Sequence, residues 1–195
     1  MTSKHASTRD TLIHVGAELI AEQGYHATGL NAVLKAAAVP KGSFYHYFAS
    51  KEDFGLTVID AFAETYKPRL DALVVDDGRA PLDRLRRFFA AGRDDMAGCD
   101  HSRGCLIGSL GQELSARSDQ FRERLDTILK GWETRIAGCL EQALARGELS
   151  PEADSAALAS FILSGWQGAL LRAKTLKSVT PMQHFEDVLF ARVLR

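Results

Sequence analysis

Cysteine, long apolar runs and net charge are all scarce in this 195-residue chain. The three cysteines, Cys99, Cys105 and Cys139, cannot all pair within one chain, which fits a reducing cytosol. No apolar run approaches the ~20 residues needed to span a bilayer. Thr8 to Glu22 alternates apolar and polar residues, unlike the charged-then-apolar start of a secretory leader. The expectation is a cytoplasmic protein with no membrane partner. A net charge of −1 excludes a uniformly basic nucleic-acid binder and leaves room for a local basic patch. No strand pattern, internal repeat or low-complexity segment is found. With 46% apolar and 25% charged residues, the chain can bury a core, which excludes wholesale disorder.

What is present is helical spacing almost everywhere. Leu12, Val15, Leu19 and Ile20 share one face of a first helix, with Ser7 or Thr8 as its cap and Gly24 as its end. A second short helix is expected from Leu30 to Ala37, capped by Thr28, and a third from Lys41 to Phe48, started by Pro40. Ser50-Lys51-Glu52-Asp53 has the form of a capping box at the head of a long fourth helix, in which Pro68 marks a kink or a late end. Asp76 to Pro81 reads as a loop. Longer helices follow, around Leu82–Met96, Phe121–Leu140, Ser150-Pro151 to Thr175, and Pro181 to the C-terminus, with a short helix, Cys105–Leu114, leading to Ser118 as the cap of the Phe121–Leu140 helix. The change of scale at Ser50 divides the chain into 1–50 and 51–195.

Three short helices joined by tight turns can place one helix in a DNA major groove, although small bundles serve many other purposes. Phe44 and Phe48, four residues apart, face inward together. Around them Lys41, Ser43, Tyr45, His46 and Tyr47 form a polar, aromatic face, and Lys35–Lys51 holds three lysines and no acid. A solvated helix face would suit the same residues. Gly29-Leu30-Asn31-Ala32-Val33-Leu34, followed by Ala37 through Glu52, resembles the DNA-binding signature of TetR-type transcriptional repressors over about Thr8–Phe54. Ala38 departs from the glycine that many members carry in the turn.

That resemblance implies an all-α homodimer, with an N-terminal three-helix helix-turn-helix domain and a C-terminal helical domain for ligand binding and dimerisation. Its partners would be double-stranded operator DNA and a small-molecule effector. Tyr45, Tyr47 and Lys51 would grip phosphates, Lys41, Ser43 and His46 would lie nearest base edges, and Thr28 would meet the DNA backbone. Gly42 would let the third helix approach closely, or would simply relieve crowding in the turn. His14 and His26 are assigned no function.

In the C-terminal part, the helix from Pro151 to Thr175 is apolar nearly all round, as in a helix buried on several sides. Ser160, Ser164 and Gly168 make a small-residue stripe on it. Phe161, Ser164, Gly168 and Leu170, with Phe185 and Leu189 on the last helix, are the expected dimer contacts, or else intramolecular core. The glycines of Gly104–Gly111 are no phosphate loop, because no Gly-Lys-Ser/Thr follows and no strand precedes. Cys99, His101 and Cys105 are too few and too irregular to assign a metal. No His–acid pair accompanies Cys105, so no catalytic residue and no cofactor is assigned. Cys105 is instead read as a sensing thiol, since a helix N-terminus and Arg103 both favour thiolate. Ordinary packing of a small hydrophobe is the alternative. Phe62, Phe88, Trp132 and Trp166 are candidate pocket walls. Gly104-Cys105-Leu106, Phe54-Gly55 and Gly165-Trp166-Gln167-Gly168-Ala169 resemble the TetR-type subgroup that answers electrophiles or small unsaturated acids such as acrylate. A small cysteine-dependent enzyme and a helical interaction module remain the competing classes.

Overall fold

The computed structural model describes residues 7–75 and 77–195. Asp76, the first residue of the expected loop, lies outside the described residues. Among them every regular element is helical, and no helix is long and apolar enough to cross a membrane. The chain forms two compact units. One contains the chain up to Thr65 together with Leu106–Leu125, and the other contains Tyr66–Cys105 and Asp126–Arg195. Ser50 is thus an element boundary, while the first packed unit extends beyond it and takes in a later segment.

In the first unit, α1 spans Thr8–Gln23 behind a complete capping box. The Ser7 hydroxyl accepts the Asp10 N–H at 3.2 Å, and the Asp10 carboxylate takes the Ser7 N–H. α2 spans Leu30–Ala36, a 3-10 turn covers Lys41–Ser43, and α3 covers only Phe44–Tyr47. α2 ends in a Schellman motif: the Val39 N–H donates to Leu34 O at 2.9 Å and the Ala38 N–H to Lys35 O at 3.2 Å. Ala38 therefore takes the left-handed position, at φ 53°. Phe44, Phe48 and Phe54 meet as a ring triangle with centroids 4.9–5.5 Å apart. Gly16 of α1 admits the Phe54 ring, since a Cβ there would stand 2.3 Å from it. α4 spans Lys51–Val74 and continues past Pro68, which therefore does not end it. Ser50 caps it by accepting the Asp53 N–H, while Asp53 reaches back to the Ala49 N–H rather than to that of Ser50. α6, Leu106–Leu114, and the start of α7, Asp119–Ala145, complete this unit.

The second unit contains α5, Pro81–Gly98, most of α7, α8 and α9. α8 spans Ser155–Leu176. It begins four residues after Pro151 because Asp154 accepts the N–H groups of Ala156 and Ala157, each at 3.0 Å. α9 spans Thr180–Val188 and continues into a π-helical turn, Leu189–Val193. Phe89, Trp166 and Phe185 form the aromatic centre, with Phe89 and Trp166 centroids 4.6 Å apart. A Cβ on Gly92 would lie 2.7 Å from Trp166, and one on Gly165 would lie 2.4 Å from Phe185. Arg84 is buried. Its guanidinium donates to Val75 O and to Gln142 Oε1, and Gln142 donates in turn to Val74 O, which closes the end of α4.

Candidate DNA-reading surface and sensor cluster

The short α3 and the turn before it set out a polar surface because their apolar positions are consumed by the ring triangle. Lys41, Gly42, Tyr45, His46 and Tyr47 are exposed, Tyr45 at 70%. Ser43 is half-buried and caps nothing. A Cβ on Gly42 would meet nothing within 4 Å. Crowding inside the molecule therefore does not call for glycine here.

Thr28 departs from expectation. Its side chain is buried and donates to Gly24 O at 2.7 Å, so Gly29 occupies the N-cap of α2 with no side-chain capping bond. The hydroxyl is satisfied within the turn and does not face outward. Lys51 is half-buried, donates to Tyr25 O at 2.8 Å and stands 4.6 Å from the centre of the Tyr25 ring. Burial lowers its pKa, with Glu113 opposing. His26, assigned nothing from sequence, pairs with Glu113 at 2.7 Å.

In the second unit, a titratable cluster surrounds Tyr66. Its ring lies 5.1 Å from Trp132 and 6.1 Å from Phe88, and the Arg69 guanidinium stands 5.6 Å from it. Burial pushes the Tyr66 phenol up to about 12; the neighbouring Cys105 thiol and Asp95 add to this and Arg69 opposes it. Arg69 in turn pairs with Asp95. Cys105 and Arg103 are both half-buried. Phe62 falls in the first unit, and Trp166 belongs to the Phe89–Phe185 core rather than to the rings around Tyr66.

Tyr66, Arg69 and Asp95 form no motif in the sequence, because Asp95 lies on α5, 26 residues from Arg69, and only the fold brings them together. For Tyr66 the signal was present in the four-residue spacing of Phe62 and Tyr66. The other thiols differ in kind. Cys139 is fully buried and donates to Pro81 O at 3.2 Å, and burial pushes it to about 11. Cys99 donates to Met96 O within its turn. Among the described residues no group of three or more His, Cys, Asp or Glu is placed to hold a metal.

On the outer face of α8 and α9, Phe161 and Val188 are more than half exposed and Leu171 nearly so, while Ser164 and Gly168 are also open. Phe161, Gly168 and Val188 border an apolar groove of about 330 Å³ that Arg172 and His184 reach. Leu189 and Phe185, expected at a dimer contact, also line this groove, although Leu189 is fully buried and Phe185 packs on Gly165 and Trp166. Leu170 is half-buried.

Residues 12–55 match the model of bacterial regulatory proteins of the tetR family, and residues 81–189 match the tetracyclin repressor-like C-terminal domain. The chain belongs to the TetR family. It is 45% identical over 175 residues to the transcriptional regulator AcuR of Cereibacter sphaeroides, covering 90% of this chain and 80% of that one. It is 33% identical to the transcriptional repressor DhaR of a Mycobacterium species, covering 95% and 92%. A crystal structure of a TetR regulatory protein from Rhodobacter sphaeroides superimposes with a TM-score of 0.91 at 43% identity, over 97% of this chain and 100% of that one. The reduced form of Escherichia coli NemR superimposes with a TM-score of 0.81 at 30% identity, over 92% and 93%. This TetR-family chain is thus a transcriptional regulator with a helix-turn-helix, not an enzyme. TetR-family regulators bind operator DNA, typically as dimers, and ligand-responsive repression is typical of them.

Proposed function

We propose that this protein is a cytoplasmic repressor that leaves its operator when a soft electrophile or a small unsaturated acid reaches Cys105. The observation that carries this reading is the position of Cys105 beside a neutral, buried phenol, with two further aromatic rings packed around that phenol. The thiolate sulfur would form a C–S bond to the β-carbon of an electron-poor alkene. The π pair moves to the α-carbon, which takes up one proton, so the thiol adds across the double bond and nothing is oxidised. Cys139 is protected by burial and by its bond to Pro81, which confines the chemistry to one region of the chain. NemR, crystallised in a reduced form, makes thiol chemistry in this group a supported reading.

On the DNA side, Lys41, Ser43 and His46 would address base edges, and Tyr45 and Tyr47 would address phosphates. Gly42 would allow close approach, and the exposed backbone at Gly29 would take the place first given to Thr28. Lys51 would reach phosphate only with the protons that Tyr25 O leaves free. Residues 1–50 would carry DNA recognition and 51–195 sensing and assembly. The homodimer would form through the open face of α8 and α9, with Phe161, Ser164, Gly168, Leu171 and Val188 at its centre. An effector changes operator affinity only through unequal affinity for the two states.

The test is a shift assay on the promoter DNA next to the protein's own gene. N-ethylmaleimide should release the parent protein, and Cys105→Ser should bind DNA normally and resist release. Undiminished release of Cys105→Ser by an unsaturated acid would instead support reversible binding, with the half-buried Arg103 as the counter-ion. Arg172 is less suited to that role because it borders the α8–α9 groove.

A further inference from the structure

The turn that joins α1 to α2 is gripped by residues far away in sequence. Glu113, near the end of α6, accepts the Tyr25 N–H at 2.9 Å on one carboxylate oxygen and the His26 N–H at 2.7 Å on the other. The latter oxygen is also 2.7 Å from His26 Nδ1. Gly24 stands at φ 85°, and a Cβ there would come within 2.8 Å of the Glu113 carboxylate. The carboxylate thus fills space that only glycine leaves open. Burial opposes its charge, but the N–H groups of His26 and Tyr25 and the His26 ring outweigh burial and hold Glu113 below the usual carboxylate range. From the opposite side Lys51 donates to the Tyr25 carbonyl. Within the turn, the Thr28 hydroxyl and N–H both bond Gly24 O, so the segment moves as one piece with the start of α2.

The far end of α6 begins one residue after Cys105. Its nine residues form a rod about 13 Å long. A shift at the start of such a rod reaches Glu113, two turns along, without dissipating in a flexible linker. The α1–α2 turn is continuous with the helix-turn-helix. We propose that Glu113 is the positioning residue that makes the DNA-reading helices follow α6, so that an event at Cys105 changes operator affinity. This rests on the sensing role of Cys105 proposed above. Glu113 touches neither DNA nor effector in this scheme; it sets the coupling, whose ordinary size is about 5- to 150-fold in affinity.

Two measurements on the full-length protein decide it. In the first, operator affinity is compared before and after N-ethylmaleimide treatment for the parent, Glu113→Gln and Glu113→Asp. Gln cannot accept through its amide nitrogen, and Asp is one methylene too short to reach both N–H groups. Both variants should bind operator like the parent when unmodified and should lose most of the maleimide-induced release. In the second, amide resonances of Tyr25 and His26 are followed in the parent protein as Cys105 is capped, without DNA; they should shift. If either variant folds and is released as fully as the parent, or if the two resonances stay in place while the parent is released, the clasp does not couple. If the resonances shift but the parent stays on its operator, Cys105 sensing fails and the clasp stands. If neither happens, both fail.

Discussion

Replacing Ala38 by glycine should stabilise the protein, and the size of the gain can be worked out from its backbone. Ala38 holds φ 53° at the end of α2, where the Val39 and Ala38 N–H groups close the helix onto Leu34 and Lys35. An L-residue in the left-handed region costs about 1–2 kcal/mol because its Cβ crowds the following carbonyl. Glycine removes that cost and adds about 0.4–1 kcal/mol of unfolded-state entropy that must be overcome. The methyl group is exposed, so its loss takes little burial with it. The net expectation is a gain of about 0.5–1 kcal/mol, or about 1–4 °C in Tm for a chain of this size. Urea and thermal unfolding followed by circular dichroism would measure it, with an unchanged denaturant slope showing that the surface exposed on unfolding is the same. Ala38→Val should move the other way, since a β-branched residue is worse still at positive φ. A glycine variant no more stable than the parent, or a valine variant as stable as it, would refute this account of the turn.

Lys51→Ala should weaken binding to all sequences about equally and reduce the salt slope of operator binding by about one unit, whereas Lys41→Ala and His46→Ala should alter sequence preference; unchanged slope and preference would place the DNA elsewhere. Phe161→Glu, on the open α8 face, should yield a folded monomer by light scattering, and a dimer at micromolar concentration would reject that interface. Tyrosine absorbance followed to high pH should show two late-ionising phenols, Tyr25 and Tyr66, each near 12, and Tyr66→Phe should remove one of them. Because these pKa values are raised on folding, the stability they contribute is intact below pH 10 and is lost as the pH rises towards 12.

Local signals were legible wherever the residue that ends or starts a helix sits beside it. Ser7 and Gly24 stand where the sequence suggests, because caps and turns are decided within a few residues, whereas Pro81, read as the end of a loop, is the first residue of α5. The inward pair Phe44 and Phe48 was equally plain from spacing. Reading failed where a partner is distant. Glu113 meets Tyr25 across 88 residues, and Arg84 meets Gln142 across 58. A periodic pattern marks which face of a helix is buried but says nothing of what buries it. Thr28 shows the limit at short range too: a threonine before a helix suits a cap, yet the Gly24 carbonyl competes for the same hydroxyl and wins.

Three of the close approaches of glycine to an aromatic ring bear on how this sequence can vary among its relatives. Gly16 with Phe54, Gly92 with Trp166 and Gly165 with Phe185 each leave no room for one added carbon. Neither member of a pair can drift alone: alanine at the first requires a smaller or displaced ring at the second, and a larger ring requires that glycine stay. In an alignment of homologues these six positions should therefore change in couples, across helices that share no sequence proximity. A lone alanine beside an intact ring should mark a lineage whose helices have moved apart.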